Sequence, residues 1–297
     1  MGLFTPIDKF YGWTFKLIKD RFPWFALYYY IKPRSYVYWR TQPLHKLYHG
    51  NLESPCQKKS ALFFTVHKSA STFFNWYLKE LSAETKHIYV DVNGYFGTQG
   101  PKGLQTQQEP SFINKAFKKT GFIYGPLRNY IPVTNISDYP LVLVLRDPRD
   151  VLTSQFFSIK NSHPLVTPEL IRRRKFAANA TIDEHVLSQA DRFVKTYSDY
   201  LENIYGKQNV LFIKYEELIS DFKNCLLKIN SHCGFELNET QLNKLDKSDS
   251  FKKKTEDQKT HIRKISSGDY KEKLKPETIE ILNKKFEAIL KKLDYTL

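Results

Sequence analysis

The chain has 297 residues, 41% of them hydrophobic and 15% aromatic, with 12 glycines and 14 prolines. That is enough apolar material for a full-sized core, and it excludes a disordered or fibrous chain. Lysine and arginine outnumber aspartate and glutamate by 46 to 31, a net charge of +15. Such an excess points to anionic partners, namely a phosphorylated cosubstrate, a membrane surface or nucleic acid. Part of it, such as the lysines at 252–254 and those near the C-terminus, reads as solvated surface. Cys56, Cys225 and Cys233 have no metal-ligand or CxxC spacing, and an odd count gives no disulfide framework. A reducing compartment is the expectation, which makes the sequons at Asn135, Asn179 and Asn238 coincidental.

Residues 1–50 differ in composition from residues 51–297, which read as one domain. The stretch FYGWTFKLIKDRFPWFALYYYIKPR interleaves aromatic and basic side chains. No window approaches the roughly 20 apolar residues of a membrane span. Lys16, Lys19, Asp20 and Arg21 interrupt the apolar core that a cleavable signal would need. The segment reads either as a helix packing on the domain or as an interfacial segment on anionic lipid.

From residue 60 onward, short apolar runs alternate with helical patterns. ALFFTV (61–66), HIYVDV (87–92), GFIYG (121–125), LVLVLR (141–146) and NVLFIKY (209–215) read as strands. Helices are predicted over 71–82 and over about 148–159, 183–205, 216–232 and 276–293, with 160–180 as an insertion or lid. This alternation predicts an α/β fold, a central parallel sheet with helices on both faces. Ligands of such sheets bind at the carboxyl ends of the strands. Attention therefore falls on His67–Thr72, Asp91, Gly125–Arg128 and Arg146–Arg149.

TVHKSASTFF (65–74) runs from the end of a strand through small residues into a helix. Unsatisfied N–H groups and the helix dipole favour an anion there, with hydroxyls on Ser69, Ser71 and Thr72 and a charge on Lys68. A plain helix cap is the alternative. The GxxxxGK[ST] loop of nucleoside triphosphatases is absent, because no glycine lies between Glu53 and Gly94. In LVLVLRDPRDVLTSQFFS (141–158), Asp147 reads as an N-cap, Pro148 as the first helical residue and Asp150 as the third. Arg146 at the strand end and Ser154 two turns into the helix are the residues that could meet a phosphate held by the first loop.

KSAST after a strand, followed by LRDPRDVLTSQFFS, resembles the sulfotransferase family, whose sulfuryl donor is 3′-phosphoadenosine 5′-phosphosulfate (PAPS). LFIKYEELISDF (211–222) and HIRKISSGDYKEKL (261–274) resemble two further segments of that family, so the likeness spans about 60–275. The resemblance implies the P-loop NTPase-like fold of these enzymes, no metal, and adenosine 3′,5′-bisphosphate (PAP) as product. It implies that Lys68, Ser69, Ala70, Ser71 and Thr72 hold the 5′-phosphosulfate. It further implies that Arg146 and Ser154 hold the 3′-phosphate, with Arg263 and Lys264 closing over it. The family's glycine after Arg-Lys is Ile265 here, a residue that does not easily adopt a positive φ.

Lys68 is expected to neutralise charge on the leaving oxygen during an in-line displacement. The acceptor hydroxyl needs a base, and the family's KTH-like histidine is missing from IYGPLRNY (123–130). Other branches use a carboxylate after the second strand, a position that Asp91 fits. His87, His67 and Glu109 are the alternatives, and Arg128 is a candidate for facing an anionic acceptor. The acceptor is read as a hydroxyl-bearing carbohydrate, lipid or small metabolite. Two other readings are a P-loop kinase-like phosphoryl transferase and a non-catalytic basic module on a membrane surface or nucleic acid. On the leading reading no nucleic acid is expected, residence is cytoplasmic, and residues 1–50 offer peripheral contact with anionic membrane.

Overall fold

The computed structural model describes residues 34–98, 109–162, 168–251, 265 and 267–297. Five parallel strands form one sheet: β1 (Ala61–Thr65), β2 (Ile88–Val90), β3 (Phe122–Leu127), β4 (Leu141–Leu145) and β5 (Val210–Lys214). Their order across the sheet is β2-β3-β1-β4-β5. Every predicted strand is present, shortened or shifted by one or two residues at its ends. The strands read as continuous apolar runs because both faces are covered. Leu62 and Phe64 of β1 face one core with Leu141, Leu143 and Leu145, while Ala61 and Phe63 face the other with Val142 and Val144.

The helices divide between these faces. α1 (Arg34–Tyr48) buries Leu44 and Leu47 in the first core. α2 (Ser71–Thr85) packs on the second, together with the later helix at Phe222–Cys233. The chain then forms α3 (Val92–Thr98), α4 (Pro110–Ala116) and α5 (Pro148–Phe157), which runs into a π-helical turn at Ser158–Ser162. The expected insertion contains a helix, α6 (Pro168–Asn179). It leads into α7 (Ile182–Asn203), which starts with a capping box between Thr181 and Glu184.

The predicted helix at 216–232 is two helices, α8 (Tyr215–Ser220) and α9 (Phe222–Cys233). Asp221 lies between them and caps the second through the Asn224 N–H. α10 (Glu239–Leu245), α11 (Asp269–Lys273) and α12 (Pro276–Lys292) complete the described chain. Among the described residues no helix is long and apolar enough to cross a membrane. The proposed membrane contact of the N-terminal segment rests largely on residues 1–33, outside the described residues.

α2 follows β1 onto one face, and α5 follows β4 onto the other. The crevice between the carboxyl ends of β1 and β4 is therefore the switch point where ligands of such sheets bind. α7 closes this edge from one side. The Tyr200 hydroxyl donates to the carbonyls of Thr65 and Leu127, and the Tyr197 hydroxyl to that of Arg146. Two tyrosines thus satisfy strand-end carbonyls of β1 and β3 and the carbonyl just beyond β4, which have no further ladder partner.

His185 near the start of α7 is 1% exposed, and neither ring nitrogen has a hydrogen-bond partner among the described residues. Burial, with Arg173 and Arg192 nearby, lowers its pKa from 6.5 to about 4. Between those values the unfolded chain binds a proton that the folded chain refuses, so stability falls as pH drops from 6.5 towards 4. The full window is worth about 3 kcal/mol. In thermal melts across that range, His185→Leu should flatten the acid limb relative to the unsubstituted protein.

Candidate active site

The segment after β1 has an uncommon backbone. Lys68 and Ala70 both lie in the left-handed region, at φ 67° and 59°. Each such non-glycine residue costs about 1–2 kcal/mol, and such conformations concentrate at functional sites. Alternating left- and right-handed residues turn successive N–H groups toward one concave side, an anion-binding nest. The Thr65 hydroxyl holds the turn by donating to the Ser69 carbonyl at 2.9 Å. Ala70 occupies the N-cap position of α2, with no side-chain cap on the helix start. Ser69 is fully buried, and its Oγ has no hydrogen-bond partner among the described residues. A helix start without a side-chain cap from its N-cap residue, beside a buried hydroxyl with no partner among the described residues, fits a phosphate-type oxyanion.

The second predicted motif meets the first. Arg146 is 4% exposed, and its Nη1 donates to the Lys68 carbonyl at 3.1 Å. Its guanidinium lies 4.6 Å from the centre of the Tyr215 ring and 3.6 Å from the Asp150 carboxylate. Burial opposes the charge, yet Tyr215, Asp150 and Glu216 outweigh it and hold the pKa above its ordinary value. A permanently charged guanidinium therefore sits beside the left-handed loop. Ser154, half-buried, is one turn beyond Asp150 on the same stripe of α5.

Asp147 caps α5 through the Arg149 N–H, as expected. Asp150 does more than its place in the first turn implied. Its two carboxylate oxygens accept the backbone N–H groups of Gly268 at 2.7 Å and Tyr270 at 3.0 Å. Burial raises its pKa, against the pull of Arg146 and of those two N–H groups. Arg149, unassigned in the sequence, is almost fully buried. It forms bonds with both Asp147 oxygens, with Asn283 and with the Thr296 carbonyl, and lies over Tyr270 at 4.3 Å. Glu216 accepts from the Tyr295 hydroxyl and the Asp147 N–H, and burial raises its pKa.

The base candidates separate by position. Asp91 is 1% exposed at the carboxyl end of β2, and its Oδ1 accepts the Gly94 N–H at 2.8 Å, capping α3. A Cβ at Gly94 would lie 2.4 Å from the other Asp91 oxygen, so a larger residue there would have to displace the Asp91 carboxylate. Asn93 donates to the Pro126 carbonyl, tying this turn to the end of β3. His87 precedes β2, at the opposite edge of the sheet from the Lys68 loop. Its ring nitrogens face the Thr85 and Lys59 carbonyls at 3.1 Å each, and burial lowers its pKa. This geometry runs against His87 as a base and gives it the role of a strand-start linker. His67 is half-buried in the loop itself, and Glu109 is exposed at the start of α4. Arg263 and Lys264 lie outside the described residues; Ile265 is half-buried.

The model of the sulfotransferase domain matches residues 126–294, more than half of the chain. The chain belongs to the sulfotransferase family. A search of the curated proteins finds no match. Among solved structures, the sulfotransferase resembles mouse sulfotransferase SULT7A1 complexed with PAP, with a TM-score of 0.52 and 17% identity, covering 84% of this chain and 88% of that one. Retinol dehydratase with retinol and PAP gives 0.52 and 16%, covering 85% of each chain. The same enzyme with androsterone and PAP gives 0.51 and 15%, covering 85% of this chain and 84% of that one. At these identities the likeness is one of fold, and it bears out the expected α/β architecture. The Lys68 loop precedes the matched residues, and the Arg146–Lys68 hydrogen bond joins it to them.

Replacing Arg149 should cost the sulfotransferase more than a surface arginine would. Arg149→Leu leaves Asp147 buried without its partner and is expected to lower stability by about 3–5 kcal/mol in urea titrations. Arg149→Lys should recover little of it, because a point charge cannot reproduce the forked contacts.

Proposed function

We propose that this sulfotransferase transfers the sulfuryl group of PAPS to a hydroxyl of a carbohydrate, lipid or small metabolite. The observation that carries this reading is the hydrogen bond between Arg146 and the Lys68 carbonyl, which sets a buried cation beside an uncapped, left-handed phosphate loop. Lys68, Ser69, Ser71, Thr72 and the amide of Ala70 hold the 5′-phosphosulfate. Arg146 and Ser154 take the 3′-phosphate, and Arg263 and Lys264 are assigned to the same phosphate by family likeness. A purine also needs an apolar face. Phe73 follows the loop directly, and its ring lies 4.9 Å from that of Phe251, an aromatic surface at the edge of the site.

In the reaction, the bond between sulfur and the bridging phosphate oxygen breaks as a bond to the acceptor oxygen forms. Lys68 stabilises the negative charge that collects on the leaving oxygen, a contribution typically worth about 10²–10³-fold in rate for one preorganised donor. The acceptor's proton passes to a base. Asp91 is favoured over His87 because it lies at the same edge of the sheet as Lys68. Retinol and androsterone, held by similar structures, carry oxygen functions of the acceptor class proposed.

Two measurements test the reading. PAP at about 100 times its dissociation constant should stabilise the protein by roughly 2.7 kcal/mol in thermal melts. AMP and ATP should do less at equal concentration, and Arg146→Ala should reduce the PAP effect to that of AMP. A shift that ATP reproduces would favour phosphoryl transfer instead. For the base, Asp91→Asn retains the oxygen that caps α3, so its melting temperature and PAP affinity should hold. Its turnover should drop by about 10²–10⁴-fold. Unchanged turnover would remove Asp91 from the mechanism.

A further inference from the structure

Asp150 is fully buried, and its three partners come from two places far apart in the chain, the end of β4 and the start of α11. Oδ2 lies 3.6 Å from Nη2 of Arg146 and accepts the Gly268 N–H at 2.7 Å. Oδ1 accepts the Tyr270 N–H at 3.0 Å. Gly268 is the N-cap residue of α11, at φ 78°, and no side chain of that helix caps it. Asp150 therefore supplies from α5 the anionic cap that α11 lacks. The same carboxylate is the charge partner closest to the Arg146 guanidinium among those described. One helix cap would be satisfied by any neutral acceptor. A carboxylate that also holds an arginine at the mouth of a phosphate site has a second use for its charge.

We propose that Asp150 is a positioning residue for donor recognition, aiming Arg146 at the 3′-phosphate while it fixes the start of α11 against α5. This rests on the reading of Arg146 as the 3′-phosphate ligand. Without the carboxylate, the guanidinium keeps the Lys68 carbonyl and the Tyr215 face as contacts and Glu216 as a nearby countercharge, but loses the carboxylate that lies 3.6 Å from it. Its direction is then set less firmly, and the start of α11 loses its anchor in the same step. Asp150 touches no reacting atom. Its effect should fall on discrimination for the 3′-phosphate.

The test compares dissociation constants of PAP and AMP, which differ by the 3′-phosphate, using isothermal titration calorimetry. The unsubstituted protein, Asp150→Asn and Asp150→Glu are measured, the last retaining the charge but displacing it in case the amide variant folds poorly. Asp183→Asn serves as a structural control, because Asp183 accepts the Lys275 N–H at 3.0 Å near α12 and has no contact with Arg146. Both Asp150 variants should weaken PAP by about 10–100-fold and AMP by less than about threefold, while the control changes neither. In an Arg146→Ala background, Asp150→Asn should weaken PAP no further. Equal losses for both nucleotides, or additive losses with Arg146→Ala, would reduce Asp150 to a structural cap and overturn the inference. PAP and AMP binding alike to the unsubstituted protein would instead overturn the reading of Arg146 and this inference with it.

Discussion

A single buried guanidinium organises the site. Arg146 leaves the end of β4 with almost no access to water, so its charge has to be met by protein groups. The Lys68 carbonyl, the Asp150 carboxylate and the Tyr215 ring meet it from three directions. These groups belong to the loop after β1, the first turn of α5 and the first residue of α8. An arginine placed in this way is costly to bury and cannot shed its proton. On the proposed reading, the 3′-phosphate of the donor would supply the remaining countercharge and offset that expense.

The scaffold around that charge is buried and extensively hydrogen-bonded. Five parallel strands with apolar residues on both faces leave polar backbone only at their ends, and α7 answers those ends with Tyr197 and Tyr200. Asp147 and Arg149 extend the polar network to Asn283 and Thr296 near the C-terminus. The left-handed Lys68 and Ala70 sit between the central strand β1 and α2, held by the Thr65 hydroxyl on the Ser69 carbonyl and by Arg146 on the Lys68 carbonyl, and such surroundings allow a strained loop to persist. A preorganised loop of this kind meets a transferring group without reorganising, the condition under which electrostatic stabilisation is most effective.

Much of this was legible in the chain. LVLVLR and ALFFTV read as strands because continuous apolar runs have one comfortable place, the middle of a sheet covered on both sides. Asp147 and Pro148 announced the start of α5 through local capping chemistry, which the structure repeats. The splitting of 216–232 into α8 and α9 was missed, although Asp221 is a capping residue by type. The site was legible in part. Lys68 and Arg146 stood out as basic residues at strand ends, whereas Asp150 looked sufficient as a first-turn acid and Arg149 was marked only by its place beyond the end of β4, with no role of its own. Their partners lie more than a hundred residues away, at Gly268, Tyr270, Asn283 and Thr296. His87 shows the same limit from the other side: its closeness in sequence to Asp91 concealed that a strand separates them.

The sequence by itself determined the alternation of strands and helices, the anion-seeking turn at Lys68 and the family likeness. Each of these depends on side-chain type and spacing within a few residues. Only the tertiary structure decided which face each helix covers, which edge of the sheet each candidate occupies and which buried charges share a partner. Those outcomes follow from strand order, β2-β3-β1-β4-β5, which places β4 beside β1 although α2, β2, α3, α4 and β3 intervene in the chain. Local chemistry has no record of that adjacency, and the contact between Arg146 and the Lys68 carbonyl exists because of it.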